Sequence, residues 1–369
     1  MSRLNAILVL GTRPQIIKSA PFIHLANEDR QVQLDIIHTG QHYDYEMTKI
    51  FFEEFHLPGP MANLDVGNGT HARQTAKIMT RLEPKLLKQN PDLVIVPGDT
   101  NSTLAAALTA TKLHIPVAHI EAGARSYDMS MPEEINRRLT DHCTTLLFTP
   151  TENCTKNLIK EGIQRDKIHQ IGDTMYDALL LQLPKAENTK ILKKLNLKPK
   201  SYVMLTIHRP ENVDQPKNLE NIMMAITRLT QIKIVFPVHP RTKKQLLKYK
   251  MYNNLQKQKH IKRIPPTGYH ETLKLIKNAK IILTDSGGMQ KEAFWLKTPC
   301  ITLRRNTEWM ETIKLKANYL AGTRPQKILD LIHNIMENET KIRQDLERLQ
   351  NPFGDGNASQ RILNIIKNY

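Results

Sequence analysis

Asp99 closes the apolar run Asp92-Leu93-Val94-Ile95-Val96-Pro97, and Glu121 closes the run Pro116-Val117-Ala118-His119-Ile120. Between them, residues 102–113 are rich in alanine and leucine and read as one helix. Strand, helix, strand of this kind makes a parallel pair. Its two tips point the same way, into the crevice where open α/β sheets bind ligands. Two carboxylates on one crevice floor are what general acid–base chemistry on a bound substrate requires.

A second constellation lies later in the chain. Thr284-Asp285-Ser286-Gly287-Gly288-Met289-Gln290-Lys291-Glu292 reads as a strand end followed by a glycine turn that opens a helix. Such a turn lets backbone N–H groups approach a pyrophosphate, and Glu292, one helical turn inside, suits the hydroxyls of a ribose. The structural alternative is a helix cap in which Ser286 or Asp285 caps and Glu292 completes a capping box. Two further predicted strands end in His208-Arg209-Pro210-Glu211-Asn212 and His239-Pro240-Arg241, which places two histidines and two arginines at neighbouring tips. That is a phosphate-facing set. At the start of the chain, Gly11-Thr12-Arg13-Pro14 leads into a helix carrying Lys18, an anion-friendly turn that matches neither a dinucleotide fingerprint nor a Walker loop. The polar stretch from Glu121 to Ser130 is long for a simple connection. It runs into a helix whose first turns carry Glu133, Glu134, Asn136 and Arg137. Acids there also suit the helix dipole.

These residues need a scaffold of alternating strands and helices. In the first half, strands are expected at 5–10, 32–38, 92–97, 116–121 and 145–149, with helices at 14–28, 45–55, 72–88, 102–113, 133–142 and 152–161. The pattern loosens around 183–201. It then resumes with strands at 202–208, 233–238, 280–284 and 300–303, and helices at 217–229, 242–250, 269–278, 288–296 and 325–337. The reading is an α/β chain of two doubly wound Rossmann-like domains. Their expected bounds are 1–175 and 176–357, joined near 173–200, with a final helix at 358–369 after a turn-rich break.

Composition narrows the function. A chain of 369 residues with 40% hydrophobic residues can bury two cores, and no stretch is long and apolar enough to predict a membrane span. Three cysteines, one beside His142, lack metal-ligand spacing and read as reduced thiols in a cytoplasmic protein. The net charge of +17 gathers partly in residues 241–263, which are read as a solvated lysine-rich helix face. No nucleic-acid motif or interleaved aromatics accompany it.

With these residues assembled, the chain resembles the non-hydrolysing UDP-N-acetylglucosamine 2-epimerases over nearly its whole length. The likeness is carried by Gly11-Thr12-Arg13-Pro14, Thr39-Gly40-Gln41-His42, Pro97-Gly98-Asp99-Thr100 and Glu121-Ala122-Gly123. It continues through Met131-Pro132-Glu133-Glu134-Ile135-Asn136-Arg137, His208-Arg209-Pro210-Glu211-Asn212 and Asp285-Ser286-Gly287-Gly288. The resemblance implies a GT-B-like fold with the nucleotide sugar in a cleft between the domains. It implies UDP contacts from Arg13, Lys18, His239, Ser286, Gly287, Gly288 and Glu292, further substrate contacts from Arg137, Arg209 and Arg241, and catalytic roles for Asp99, Glu121, Glu133 and His208. It also implies a cytoplasmic homodimer acting in polysaccharide biosynthesis without metal or redox cofactor. The implied reaction inverts C2 by eliminating UDP to 2-acetamidoglucal and adding it back.

Two departures from the family pattern bear on the substrate. Thr307-Glu308-Trp309-Met310 stands where the family often reads Thr-Glu-Arg-Pro, with Arg304 or Arg305 as the nearest compensating cations. Gln41-His42-Tyr43-Asp44 differs from the Gln-His-Arg form of members with a regulatory second substrate molecule. Both changes also occur in relatives acting on 2,3-diacetamido uronic acids. Epimerisation of such a sugar is therefore the nearest rival reading. The others are a hydrolysing 2-epimerase, a GT-B glycosyltransferase and a non-catalytic nucleotide-sugar sensor. The acids at 99, 121 and 133 speak against the last two.

Overall fold

The computed structural model describes residues 3–41 and 51–369. The departure at 42–44 and most of the helix expected at 45–55 lie outside the described residues. The chain forms two compact units, Met1–Leu181 with Asn351–Tyr369, and Gln182–Gln350.

The first unit is built on a parallel sheet of seven strands: β1 (Leu4–Leu10), β2 (Val32–His38), β3 (Ala62–Asn63), β4 (Leu93–Pro97), β5 (Val117–Ile120), β6 (Leu146–Thr149) and β7 (Ile168–Gln170). Their order is β3-β2-β1-β4-β5-β6-β7. Central strands are covered on both faces, which is why β1 from Ala6 to Leu10 and β4 throughout are unbroken apolar runs. The second unit repeats the plan with β8 (Tyr202–Thr206), β9 (Lys233–Pro237), β10 (Ile261–Ile264), β11 (Ile281–Thr284), β12 (Cys300–Thr302) and β13 (Asn318–Leu320). Its order is β10-β9-β8-β11-β12-β13, and every described pairing in both sheets is parallel. The expectation of two Rossmann-like doubly wound sheets is met. In each, the order reverses between the first and fourth strands, and that switch point is where such sheets bind ligands.

Helices α1 (Arg13–Glu28), α2 (His71–Gln89), α3 (Asn101–Lys112), α4 (Pro132–Cys143), α5 (Glu152–Lys160) and α6 (Thr174–Glu187) follow the strands of the first unit. Pro14 and Pro132 open α1 and α4, where a missing N–H costs nothing. Thr100 caps α3 in a reciprocal box with Thr103, and Ala105, Ala106 and Ala107 let that helix press close to the sheet. In the second unit the main helices are α7 (Pro216–Arg228), α8 (Pro240–Lys248), α9 (Tyr269–Asn278), α10 (Gly287–Trp295), α11 (Pro325–Glu337) and α12 (Glu339–Arg348).

The differences from expectation sit at sheet edges and between the two halves. β3, β7, β10 and β13 have two to four residues each, too few to show a period. β10 also corrects the reading of 241–263 as only a solvated helix face. Ile261 and Ile264 are buried in an edge strand, Lys262 bonds the Leu195 carbonyl at 2.7 Å, and Arg263 stacks on Tyr252 at 4.7 Å. Where the pattern loosened, α6 runs on with Pro184 inside it.

The last helix, α13 (Ala358–Lys367), returns to the first unit and lies on α1. It buries Ile362, Leu363 and Ile366, the backbone N–H groups of Ala358 and Ser359 donate to Asp177 at 3.2 and 2.6 Å, and Lys367 pairs with Asp29 at 2.7 Å. Replacing the fully buried Ile362 by alanine should destabilise this unit by about 2–5 kcal/mol in urea unfolding followed by circular dichroism. Both tryptophans, Trp295 and Trp309, belong to the second unit, so their fluorescence gives a separate reading of that half.

Candidate active site

At the switch point of the first sheet, the turns after β1, β2, β4 and β5 meet. Gln15 stitches two of them together: its Oε1 accepts from Gly11 N at 2.9 Å, and its Nε2 donates to the Pro97 carbonyl at 2.7 Å and to Thr103 Oγ1 at 3.0 Å. Thr39 and Gln41 hold the turn after β2 against Ser102, with Oγ–Oγ 2.7 Å from Thr39 and 2.6 Å from Ser102 Oγ to Gln41 Oε1. A Cβ at residue 11 would stand 2.0 Å from Ser102 Oγ, so only glycine fits in that first turn.

Each expected carboxylate meets a cation. Asp99 Oδ2 receives Arg137 Nε at 3.0 Å and Nη2 at 2.6 Å, and the Asp99 carbonyl receives Asn136 Nδ2 at 3.0 Å. Glu121 pairs with Lys18, their side chains 13% and 9% exposed, which takes that ion pair out of bulk water. Glu121 also has φ 75°, left-handed for a residue with a side chain, and is held there by Glu121 N and Ala122 N, which both donate to the Phe148 carbonyl. Strain of this kind persists only where the surroundings fix it, and it gathers at active sites. Gly98 makes room for the lysine: a Cβ there would lie 3.2 Å from Lys18 Nζ. Thus Lys18 and Arg137, expected among the substrate contacts, are the partners of the two expected acids.

Glu133 is half-buried in the first turn of α4. Its neighbour Glu134 turns inward and was missed as a site residue. Its Oε2 accepts from Ser126 N at 2.8 Å, Ser126 Oγ at 3.0 Å and Arg137 Nη1 at 3.1 Å, and its Oε1 accepts from Tyr127 N at 3.2 Å. Glu134 therefore holds the Ser126–Tyr127 part of the long loop after β5, and it also steadies the arginine on Asp99. Burial pushes the Glu134 carboxyl up, but the Ser126 bonds and the Arg137 charge outweigh it and hold it below its usual value of 4.5. Arg13 lies over the Phe51 ring at 4.5 Å.

In the second unit, Asp285 is wholly buried and organises the neighbouring turn. It accepts from His208 N at 3.0 Å, Arg209 N at 3.0 Å and Asn212 Nδ2 at 3.0 Å, and His208 Nδ1 lies 3.3 Å away. His239 accepts from Arg241 N at 3.2 Å through Nδ1, and its ring stands 5.5 Å from that of His208. Ser286 caps α10 through Met289 N at 3.4 Å, so the capping reading of Ser286 is realised. Gly288 has open space where a Cβ would be, while one at Gly287 would stand 2.5 Å from Glu308 Oε1. Glu292 is buried within α10. Arg209 lies 3.7 Å from Glu308, whereas Arg241 is exposed and paired with Asp214. Arg304 is buried against Glu308 at 2.9 Å, and Trp309 covers the Lys291 ammonium at 3.8 Å. Each switch point thus collects most of its expected residues: the acids with their cations in one unit, and the histidines, Arg209 and the glycine-opened helix in the other. Among the described residues no group of histidine, cysteine and carboxylate side chains is placed to hold a metal ion.

The family model described as UDP-N-acetylglucosamine 2-epimerase matches residues 24–367. The chain belongs to that family. It is 49% identical over 368 residues to the UDP-N-acetylglucosamine 2-epimerase homolog of Methanococcus maripaludis, covering 99% of this chain and 100% of the relative. It is 39% identical to the UDP-2,3-diacetamido-2,3-dideoxy-D-glucuronate 2-epimerase of Pseudomonas aeruginosa, covering 98% and 99%. The crystal structure of the Methanocaldococcus jannaschii UDP-GlcNAc 2-epimerase in complex with UDP-GlcNAc and UDP matches with a TM-score of 0.92 at 46% identity, covering 99% of both chains. Membership of an epimerase family makes the chain an enzyme of isomerase type.

Glu134 gives a direct test of the site's electrostatics. Its carboxyl is held low in the fold, so its contribution is complete above the unfolded value of 4.5 and is lost as pH falls through the folded value. Glu134→Gln should therefore destabilise the protein by about 1.5–3 kcal/mol at neutral pH. The gap to wild type should close in unfolding measurements carried below pH 4.5.

Proposed function

We propose that this enzyme interconverts UDP-N-acetylglucosamine and UDP-N-acetylmannosamine without hydrolysing them. One acid–base group removes the C2 proton, and the C1–O bond to UDP breaks to leave 2-acetamidoglucal. UDP then adds back to C1 while C2 is protonated from the opposite face. The observation that carries this reading is the pair of strand-tip acids, Asp99 on Arg137 and Glu121 on Lys18, at a switch point of an epimerase-family fold. Inverting a carbon needs proton-transfer groups on both ring faces, and a set of nearby carboxylates supplies them. Glu133 completes the acid set.

UDP must leave with its charge neutralised. In our reading Arg209, His208, His239 and the opening of α10 at Ser286-Gly287-Gly288 receive the diphosphate, and Glu292 receives the ribose. Arg241, engaged by Asp214, stands at the margin of that set. Fixed donors aimed at a developing oxyanion stabilise the transition state more than the ground state. Three cysteines without a disulfide suit a reducing compartment, so we place the enzyme in the cytoplasm, supplying a sugar for polysaccharide synthesis. The exposed Ile135 and Leu139 on α4 support a homodimer.

One observation favours a second reading, in which the substrate is a 2,3-diacetamido uronic acid linked to UDP. The Pseudomonas relative named for that sugar is 39% identical over almost the whole chain, and Trp309 stands where the family often has arginine.

Incubation in deuterium oxide with each sugar, followed by proton NMR, separates these readings. Deuterium at C2 of UDP-N-acetylglucosamine with formation of the manno epimer supports the first, exchange only in the diacetamido substrate supports the second, and free sugar shows hydrolysis. Asp99→Asn and Glu121→Gln should each lower exchange by about 10²–10⁴-fold with UDP still bound in calorimetry. Turnover near wild type in either variant contradicts its role.

A further inference from the structure

Beneath the two acids lies a buried layer of charge. His119 sits on β5 two residues before Glu121 and is completely buried. Its Nε2 is 2.7 Å from the Gly98 carbonyl, and its Nδ1 is 2.7 Å from Asp141 Oδ1 on α4. Asp141 Oδ2 in turn accepts from Gly123 N at 3.1 Å and pairs with Arg125 at 2.7 Å. Arg125 is forked onto Glu161 at 2.9 and 2.7 Å and also donates to the Ala124 carbonyl.

Hydrogen-bond inventory fixes the state of the ring. A carbonyl only accepts, so Nε2 carries a hydrogen. Asp141 Oδ2 already accepts from the Gly123 N–H and pairs with the Arg125 guanidinium, which makes the Asp141 side chain a carboxylate. Asp141 therefore also accepts, and Nδ1 carries a hydrogen too. Only imidazolium meets both partners, and a neutral ring would leave a buried acceptor without its donor. The four side chains then balance: two buried cations, His119 and Arg125, against the buried Asp141 and the half-buried Glu161.

The ends of this chain of bonds mark its purpose. It grips Gly98, the residue before Asp99, and Gly123, two residues after Glu121. Both glycines are left-handed, with φ 72° and 79°, and neither has a side chain with which to anchor its turn. His119 and Asp141 thus tie the two strand tips together from below, beside the backbone bond from Gly98 N to the Ile120 carbonyl at 2.9 Å. An apolar residue at 119 would fill the volume but hold neither turn.

We propose that His119 is a positioning residue for the proton transfers: as an imidazolium bonded to the Gly98 carbonyl and to Asp141, it fixes Asp99 and Glu121 relative to each other. This rests on the reading of those two acids as the acid–base pair. The test uses the full chain labelled with ¹⁵N-histidine, together with C2 exchange of UDP-N-acetylglucosamine in deuterium oxide. In wild type at neutral pH, both His119 ring nitrogens should show a bonded hydrogen. In Asp141→Asn the ring should revert to one hydrogen, on Nε2, and kcat should fall by about 10²-fold, the scale of a small misplacement of reacting groups, while KM moves less than about threefold. His119→Gln should lower kcat to a similar extent, again with little change in KM. If that variant does not fold, the wild-type spectrum and Asp141→Asn decide alone. A neutral His119 in wild type, or wild-type kcat in Asp141→Asn, overturns the inference while leaving the proposed reaction intact. A wild-type protein that exchanges no C2 proton with any UDP-sugar overturns the reaction, and the positioning role falls with it.

Discussion

The ion pair between Glu121 and Lys18 is the constraint around which the first unit is arranged. A carboxylate taken out of bulk water needs a cation with good geometry, since its desolvation is otherwise unfavourable by several kcal/mol. The cation comes from α1, far away in the chain, and reaches across the switch point to β5. Gly98 is small where the ammonium passes, and the backbone of Glu121 adopts a strained conformation that two hydrogen bonds to Phe148 secure. Asp99 repeats the solution with Arg137, and Glu134 behind that arginine ties the pair to the loop after β5. The two acids are therefore held by side chains from two different helices, and neither can move without disturbing a buried charge.

The second unit uses a different economy. Its anionic residue at the switch point, Asp285, is spent on backbone N–H groups, orienting the turn that presents His208 and Arg209. That turn presents His208 and Arg209 beside the exposed Glu211, and next to it stands a helix opened by Gly287 and Gly288. In the proposed reaction that surface is the one that would receive the diphosphate, and the acids of the first unit are the ones that would move the C2 proton. The two switch points thus differ in how they use their acids: one pairs them with cations, the other turns its buried aspartate onto backbone N–H groups.

Much of this was legible in the sequence. Central parallel strands such as 6–10 and 93–97 announce themselves as apolar runs ending in glycine, and the strand tips carried the candidate residues into view. Edge strands such as β3 and β13 were not visible, being too short to carry a period and fixed only by pairing with a neighbour. The partners of the charged residues were hidden for the same physical reason. Lys18 and Glu121, Asp99 and Arg137, and His119 and Asp141 meet only once the sheet has ordered its strands. Glu134 read as a helix-dipole acid because local sequence reports the helix it rides on, not the side chains opposite. His119 looked like one more member of an apolar strand.

The most direct measurement is a double-mutant cycle on Lys18 and Glu121, read as the rate of C2 proton exchange in deuterium oxide. If the ion pair is one working unit, Lys18→Met and Glu121→Gln each lose most of the exchange rate, and the double variant is no slower than Glu121→Gln alone. If the two losses multiply in the double variant, Lys18 acts independently of Glu121, and the pairing on which this account rests is contradicted.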